Sequence, residues 1–184
     1  MEKQKYAAIV LAAGSGKRMN SQVHKQYLII QDRPVLYYSL KEFEDSAVDE
    51  IVLVVGKGEE EFCRREIVDK YGISKVKAIV EGGKERYHSV FEGLKQTSDA
   101  DYVLIHDGAR PFVNQDIIRR CMQEVQKYQA CVVGMPVKDT IKIADEEGYA
   151  KQTPDRKNVW MIQTPQIFET ELITDAYSRL MGKH

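Results

Sequence analysis

The apolar positions of this chain fall into short runs set between stretches of helical spacing. The first run is Ala7 to Ala13, and four more follow at Ile51–Val55, Val76–Val80, Tyr102–Ile105 and Cys131–Met135. Each is continuous rather than alternating, and the later four are rich in β-branched residues, which suits strands buried on both faces of a parallel sheet. Between the runs the period changes. In Asn114–Tyr128 the residues Ile117, Ile118, Cys121, Met122 and Val125 form one stripe, with Asn114 placed as an N-cap. Val90, Phe91 and Leu94 do the same within Glu85–Thr97, and Pro34 opens a helix carrying Val35, Leu36 and Leu40. Alternating strand and helix predicts βαβ units with right-handed crossovers: an α/β, Rossmann-like, mostly parallel sheet flanked by helices.

The pattern breaks after Pro136. Residues 137–160 are polar, with short alternating pieces at Thr140–Ile143 and Val159–Ile162 and a turn at Glu146-Glu147-Gly148 between them. This predicts a protruding β-arm on a single domain spanning 1–184. Pro165 follows, then a helix from about Glu169 to Met181. Met135, Trp160 and Met161 read as packing residues.

Composition narrows the function classes. The 184 residues fit one domain, and 43% hydrophobic with 30% charged residues is ordinary for a globular protein. A formal net charge of −1 gives no reason to expect nucleic acid or a membrane surface as partner, so any anion affinity must come from locally placed cations. Cys63, Cys121 and Cys131 are widely spaced and suggest neither a disulfide framework nor a metal site. The run at 6–13, preceded by lysines, resembles a short signal peptide, but its recurrence downstream argues for a core strand. No run approaches the ~20 apolar residues of a membrane span. The chain reads as cytoplasmic.

In an open parallel sheet, ligands bind beyond the carboxyl ends of the strands. Glycines and charges cluster at four such places: Gly14-Ser15-Gly16-Lys17-Arg18, with Lys25 a few residues on; Glu81-Gly82-Gly83-Lys84-Glu85-Arg86; His106-Asp107-Gly108-Ala109-Arg110; and Lys138-Asp139-Thr140. The first loop is neither a P-loop, since Leu11 stands where the first glycine belongs and Arg18 follows Lys17, nor a dinucleotide fingerprint, since Met19 takes the third glycine's place. Each feature has a plainer reading on its own. Gly14-Ser15-Gly16 is also an ordinary turn, Asp107 a turn carboxylate or N-cap, Arg110 a surface cation and His106 a structural histidine. Lys138, Asp139 and Lys142 read equally as a solvated face of the arm.

Taken together, the motifs LAAGSGKRM with KQY, GGKERYHSV, HDGARPF, PVKDTIK, TPDRKNVW and QTPQIF closely resemble the 2-C-methyl-D-erythritol 4-phosphate cytidylyltransferase family, in family order over nearly all of 1–184. Pentitol (ribitol) 5-phosphate cytidylyltransferases, which tend to have AGG and HDSVRPF at these places, are the alternative. The resemblance implies a fold of the nucleotide-diphospho-sugar transferase type. It implies cytidylyl transfer from CTP to the phosphate of methylerythritol phosphate, in the non-mevalonate isoprenoid pathway, with Mg2+ as cofactor. By motif, Arg18 and Lys25 would be catalytic. Ala12, Ala13, Gly14, Ser15 and Gly16 would cradle the triphosphate, Gly82, Gly83 and Ser89 would face the cytosine, and Asp107 would lie by the ribose and the metal with Ala109 beside the nucleotide. Arg110, Thr140, Arg156 and Thr164 would bind the acceptor, a polyol phosphate. The arm, 137–160, would reach a second subunit of a homodimer.

Departures from the family pattern are His24, where proline is usual, and Lys84, where some members carry aspartate. Family members also continue beyond Gly182-Lys183-His184 into a strand that supplies a further lysine to the triphosphate. The readings are a shortened chain or a nucleotide-binding dimer with impaired catalysis.

Overall fold

The computed structural model describes residues 3–14 and 24–182. In chain order the elements are β1 (Tyr6–Ala12), the short strands β2 (Ile29–Ile30) and β3 (Arg33–Pro34), α1 (Val35–Glu44), β4 (Glu50–Val55), α2 (Glu60–Cys63) continuing into a π-turn, and β5 (Val76–Glu81). Then come α3 (Arg86–Leu94), β6 (Tyr102–Asp107), α4 (Gln115–Tyr128), β7 (Ala130–Pro136), β8 (Ile143–Ala144), β9 (Ala150–Gln152), β10 (Trp160–Glu169) and α5 (Thr170–Met181).

One six-stranded sheet, in the order β5-β4-β1-β6-β10-β7, organises these elements. The strands β5, β4, β1 and β6 are mutually parallel, and β10 runs antiparallel between β6 and β7. The continuity of the apolar runs has a direct cause. Side chains alternate across a strand, and in β1, β4 and β6 both faces are buried. The runs at Val76–Val80 and Cys131–Met135 form the edge strands β5 and β7 and, against the expectation, are only partly buried. Tyr6, Ala8, Val10 and Ala12 of β1 join Ile51, Leu53 and Val55 of β4 in a core with Leu36, Leu40 and Phe43 of α1 and Ile118, Cys121 and Val125 of α4. Ala7 and Ile9 join Val52 and Val54 in a second core with Val90 and Leu94 of α3, against which Ile173 and Tyr177 of α5 pack.

Two further expectations from the sequence are corrected. The pattern marks Val159–Ile162 as a strand piece but not its continuation to Glu169 as β10, because Pro165 and the polar Gln163, Thr164 and Gln166 break the pattern. Pro165 lacks the N–H that a ladder needs, and it sits in the stretch between Ile162 and Gln166 where the register against β7 shifts. Beyond it, Gln166, Ile167 and Phe168 pair with β6 on one side and β7 on the other. The second correction concerns the arm. Val159–Ile162 does not pair with Thr140–Ile143; Trp160, Met161 and Ile162 extend β10 and pair with Pro136, Met135 and Gly134 of β7. The hairpin is the smaller β8–β9 pair, closed by Asp145, whose side chain accepts from the N–H groups of Glu147 and Tyr149, and by Gly148 at φ +88°. Met135, Trp160 and Met161 are consequently about half exposed and not packed in a core.

The N-terminus of α4 follows from one residue. The Asn114 side chain accepts from the Ile117 N–H at 3.0 Å, satisfying a donor that the helix itself cannot pair. We predict that Asn114→Ala lowers unfolding free energy by about 1 kcal/mol, measured by urea titration, and that Asn114→Asp retains most of it. Equal stability of the alanine variant would remove the cap from the account.

Candidate active site

The carboxyl ends of the parallel strands lie along one rim of the sheet, and the chain leaves β1 where the strand order turns outward in both directions, the position at which open α/β sheets bind ligands. Three loops converge there. Leu11 pairs with Asp107 across β1 and β6, and the Gly108 N–H donates to the Leu11 carbonyl at 2.8 Å. On the other side, Gly82 is pressed against the first loop: a Cβ there would lie 2.5 Å from the Ala13 Cβ and 2.7 Å from the Ser89 hydroxyl. Only glycine permits that approach. The Gly82 N–H is spent on the Val55 carbonyl and that of Gly83 on the Ser89 hydroxyl, so Ser89, itself buried, holds the shape of this loop.

Asp107 is the electrostatic centre of the rim. Its carboxylate accepts from the Arg86 Nε at 3.1 Å on one oxygen and from the Arg110 Nε at 3.2 Å on the other. Burial pushes its carboxyl up, but the neighbouring Arg86 charge and the bonds from Arg110 and Arg86 outweigh that and hold it below the usual carboxylate range. Arg110 also reaches the Gln163 side chain. Arg86 lies within the GGKERYHSV motif but has no role in the sequence reading. Its partner stands 21 residues away, and only the fold brings the two together.

Behind Asp107 runs a hydrogen-bonded chain whose proton positions follow from its ends. The Arg110 carbonyl can only accept, so the His106 Nε2, 3.1 Å away, carries the proton. His106 Nδ1 then accepts from the Thr164 hydroxyl at 3.1 Å, and the same hydroxyl oxygen accepts from the Asp107 N–H at 3.2 Å. His106 is fully buried beside Phe43, and burial pushes its imidazole down to about 4. It is a neutral, structural histidine, and Thr164 links β10 to the end of β6.

The remaining residues predicted from the sequence divide into four groups. Ala12, Ala13 and Gly14 lie at the end of β1. There the buried Gln26 amide donates to the Ala12 carbonyl at 2.5 Å and the Gly14 carbonyl at 3.2 Å, docking the turn that carries the exposed Lys25 against that loop. Gln26 is a second contributor that the sequence reading passed over, inside its KQY motif. Ser15, Gly16 and Arg18 lie outside the described residues. Ala109 is on the rim, half-buried, between Asp107 and Arg110. Thr140 and Arg156 are not joined to this group; both are exposed, and the Arg156 guanidinium donates to the Lys138 carbonyl at 2.9 Å, within the arm region. Among the described residues no set of three or more His, Cys, Asp or Glu side chains is placed to hold a metal.

A parallel rim of glycine loops with cations around one carboxylate, on this strand order, defines a nucleotidyltransferase-type α/β fold. The family model described as 2-C-methyl-D-erythritol 4-phosphate cytidylyltransferase matches residues 6–183. The chain belongs to that family and is a cytidylyltransferase. It is 56% identical over 174 residues to the 2-C-methyl-D-erythritol 4-phosphate cytidylyltransferase of Lachnospira eligens, covering 94% of this chain and 76% of the relative. To that of Lachnoclostridium phytofermentans it is 51% identical over 177 residues, covering 96% and 76%. The crystal structure of 4-diphosphocytidyl-2C-methyl-D-erythritol synthase from Anaerococcus prevotii superposes with a TM-score of 0.84 at 35% identity, covering 97% of this chain and 76% of that one.

The burial of His106 makes a pH-dependent prediction. Its folded pKa lies below the unfolded value of 6.5. Above 6.5 the residue is neutral in both states and contributes nothing. Between 6.5 and about 4 the unfolded chain takes up a proton that the folded chain refuses, so stability falls with falling pH, by about 3 kcal/mol across the window. Urea titrations at pH 7 and pH 4.5 should show a smaller loss for His106→Gln than for the native protein. Equal losses would contradict a neutral buried imidazole.

Proposed function

We propose that the chain transfers the cytidylyl group of CTP to the phosphate of 2-C-methyl-D-erythritol 4-phosphate, giving 4-diphosphocytidyl-2-C-methyl-D-erythritol and pyrophosphate in the non-mevalonate isoprenoid pathway. The observation that carries the mechanism is the Asp107 carboxylate set between Arg86 and Arg110 at the rim where the glycine loops meet. An acceptor phosphate oxygen attacks the α-phosphorus, the bond to the β-phosphate breaks, and pyrophosphate leaves with its electrons. A phosphate monoester with a second pKa of about 6 is mostly a dianion near neutral pH, so no side chain has to remove a proton. What the protein must do is hold one polyanion against another and offset the charge that builds on the α-phosphate.

The side chains fit that task. Arg18 and Lys25 meet the triphosphate over Ala12, Ala13, Gly14, Ser15 and Gly16. Gly82, Gly83 and Ser89 shape the wall for the cytosine, with Ala109 beside the nucleotide. Arg110 and Thr164, with Thr140 and Arg156, take the acceptor. Enzymes of this family are generally dependent on a divalent metal, and Mg2+ suits this rim. Mg2+ is commonly held by one or two carboxylates together with substrate phosphates, and each Asp107 oxygen retains accepting capacity beyond its one arginine bond. Mg2+ would neutralise phosphate charge; Asp107 would hold it and lie near the ribose.

The exposed Met135, Trp160, Met161 and Ile162 on the β7–β10 extension, with Ile143 and Tyr149 on the hairpin, support a homodimer through 137–160 in which Thr140 and Arg156 serve the partner's site. Among the described residues no helix is long and apolar enough to cross a membrane. The cysteines are unpaired, which fits a reducing, cytoplasmic setting.

Pyrophosphate release should proceed with CTP and methylerythritol phosphate and run far slower with ribitol 5-phosphate; the reverse preference would sink the assignment. Lys25→Ala should lower kcat by at least tenfold with a smaller change in KM for CTP, whereas Arg156→Ala should chiefly raise KM for the acceptor. Mixing these two inactive or weakened variants should restore activity that neither has alone if the site is shared between subunits. A mixture no better than the mean of its parts would confine the site to one chain.

A further inference from the structure

We infer that Glu59 is a positioning residue for Lys25, acting through Tyr27 and His24. The inference rests on Lys25 serving the triphosphate as proposed above. Lys25, Gln26 and Tyr27 form a single 3-10 turn whose ends have no side-chain cap, and so short a turn has little stability of its own. Gln26 ties it to β1 by the bonds already described. On the opposite side it is tied to the end of β4 by one carboxylate.

That carboxylate is closely held. Glu59 Oε2 accepts from the Gly56 N–H at 3.1 Å, where β4 ends, and from the Tyr27 hydroxyl at 2.7 Å. Its Oε1 lies 3.0 Å from His24 Nδ1. A Cβ on Gly56 would come within 2.6 Å of Oε2, so glycine there is what lets the carboxylate lie over the strand end. The residues that Glu59 grips, His24 and Tyr27, bracket Lys25 in sequence, and their rings stack at 6.1 Å. Tyr27 also packs edge-on to Phe62 at 5.3 Å and sits 3.1 Å from the Cys63 thiol. Burial first, then Cys63 and Glu59, push the Tyr27 hydroxyl well above its ordinary range, so it stays a neutral donor. His24, which departs from the family's usual proline, gives this chain a polar contact to Glu59 that proline could not make.

A cation that acts on a transient charge must be placed closely, and an error of about 1 Å costs on the order of a hundredfold. Loss of Glu59 would leave the Lys25 charge present and its turn still joined through Gln26, but without the carboxylate that ties it to the end of β4. The signature is a fall in kcat that depends on Lys25.

The experiment is steady-state pyrophosphate release for Glu59→Ala, Tyr27→Phe, Lys25→Ala and the Glu59→Ala/Lys25→Ala double variant, each checked for folding by circular dichroism and thermal unfolding. Glu59→Ala should lower kcat by about ten- to a hundredfold with KM for CTP changed by less. Tyr27→Phe, which keeps the ring against Phe62, should lower it in the same sense, and serves alone if Glu59→Ala does not fold. Adding Glu59→Ala to Lys25→Ala should have almost no further effect, because the two act as a unit. An equal fall in both backgrounds would overturn the inference, as would an unchanged kcat in folded Glu59→Ala or Tyr27→Phe while Lys25→Ala is impaired. An unimpaired Lys25→Ala would instead overturn the role of Lys25 itself, and the inference with it.

Discussion

The rim of this sheet depends on one buried imidazole remaining neutral. Neutral His106 donates from Nε2 to the Arg110 carbonyl and accepts at Nδ1 from Thr164, and the same Thr164 oxygen takes the Asp107 N–H. A single ring therefore sets the main chain on both sides of the His-Asp-Gly-Ala-Arg loop and ties it to β10. A protonated ring would have two donors and no acceptor, and the Thr164 hydroxyl proton would lose its partner. Burial against Phe43 is what keeps the proton off. The apolar core and the polar rim are thus one construction: packing that stabilises the fold also fixes the tautomer that shapes the site.

The same loop reconciles a chain of net charge −1 with a polyanionic task. Arg86 and Arg110 are drawn together by Asp107, which lowers the cost of holding two guanidinium groups near each other before any phosphate arrives. On the proposed function, a phosphate entering this rim meets donors already oriented, so less ordering entropy remains to be lost on binding. Asp107 has two parts to play in that picture, as counter-ion for the arginines and as a ligand for the metal. Its depressed pKa serves both, since both require the ionised form.

The features legible in the sequence are those encoded by near neighbours. The continuous runs of β1 and β4 announce two buried faces, and the two separate cores on either side of the sheet account for them. Asn114 caps α4 as its position implies, because an N-cap needs a partner only three residues on. The features missed are those encoded by distant partners. Arg86 is one more charge in a charged stretch until α3 carries it to Asp107, and Gln26 is an ordinary polar residue until its amide is buried against the end of β1. The continuation of β10 beyond Ile162 was hidden for a different reason. Its pairing is carried by backbone groups on both sides, so its side chains need not advertise a strand, and the bulge accommodates a proline that otherwise argues against one.

That bulge also explains where the exposed apolar residues come from. Between Gln166 and Phe168, β10 lies inside the sheet, paired on both sides, and Ile167 is fully buried. On the far side of Pro165, β10 keeps only β7 as a partner, and Trp160, Met161 and Ile162 stand on a two-stranded ribbon. A ribbon of two strands has little means of burying its own side chains and is marginal by itself in water. Polar residues would suffice if the ribbon were merely solvated, yet here it carries tryptophan, isoleucine and two methionines. Clustered apolar exposure of this kind marks an interaction surface. On the proposed reading a second subunit covers it, and the arginine and threonine carried by the neighbouring arm are delivered to a site that this chain's own rim does not complete.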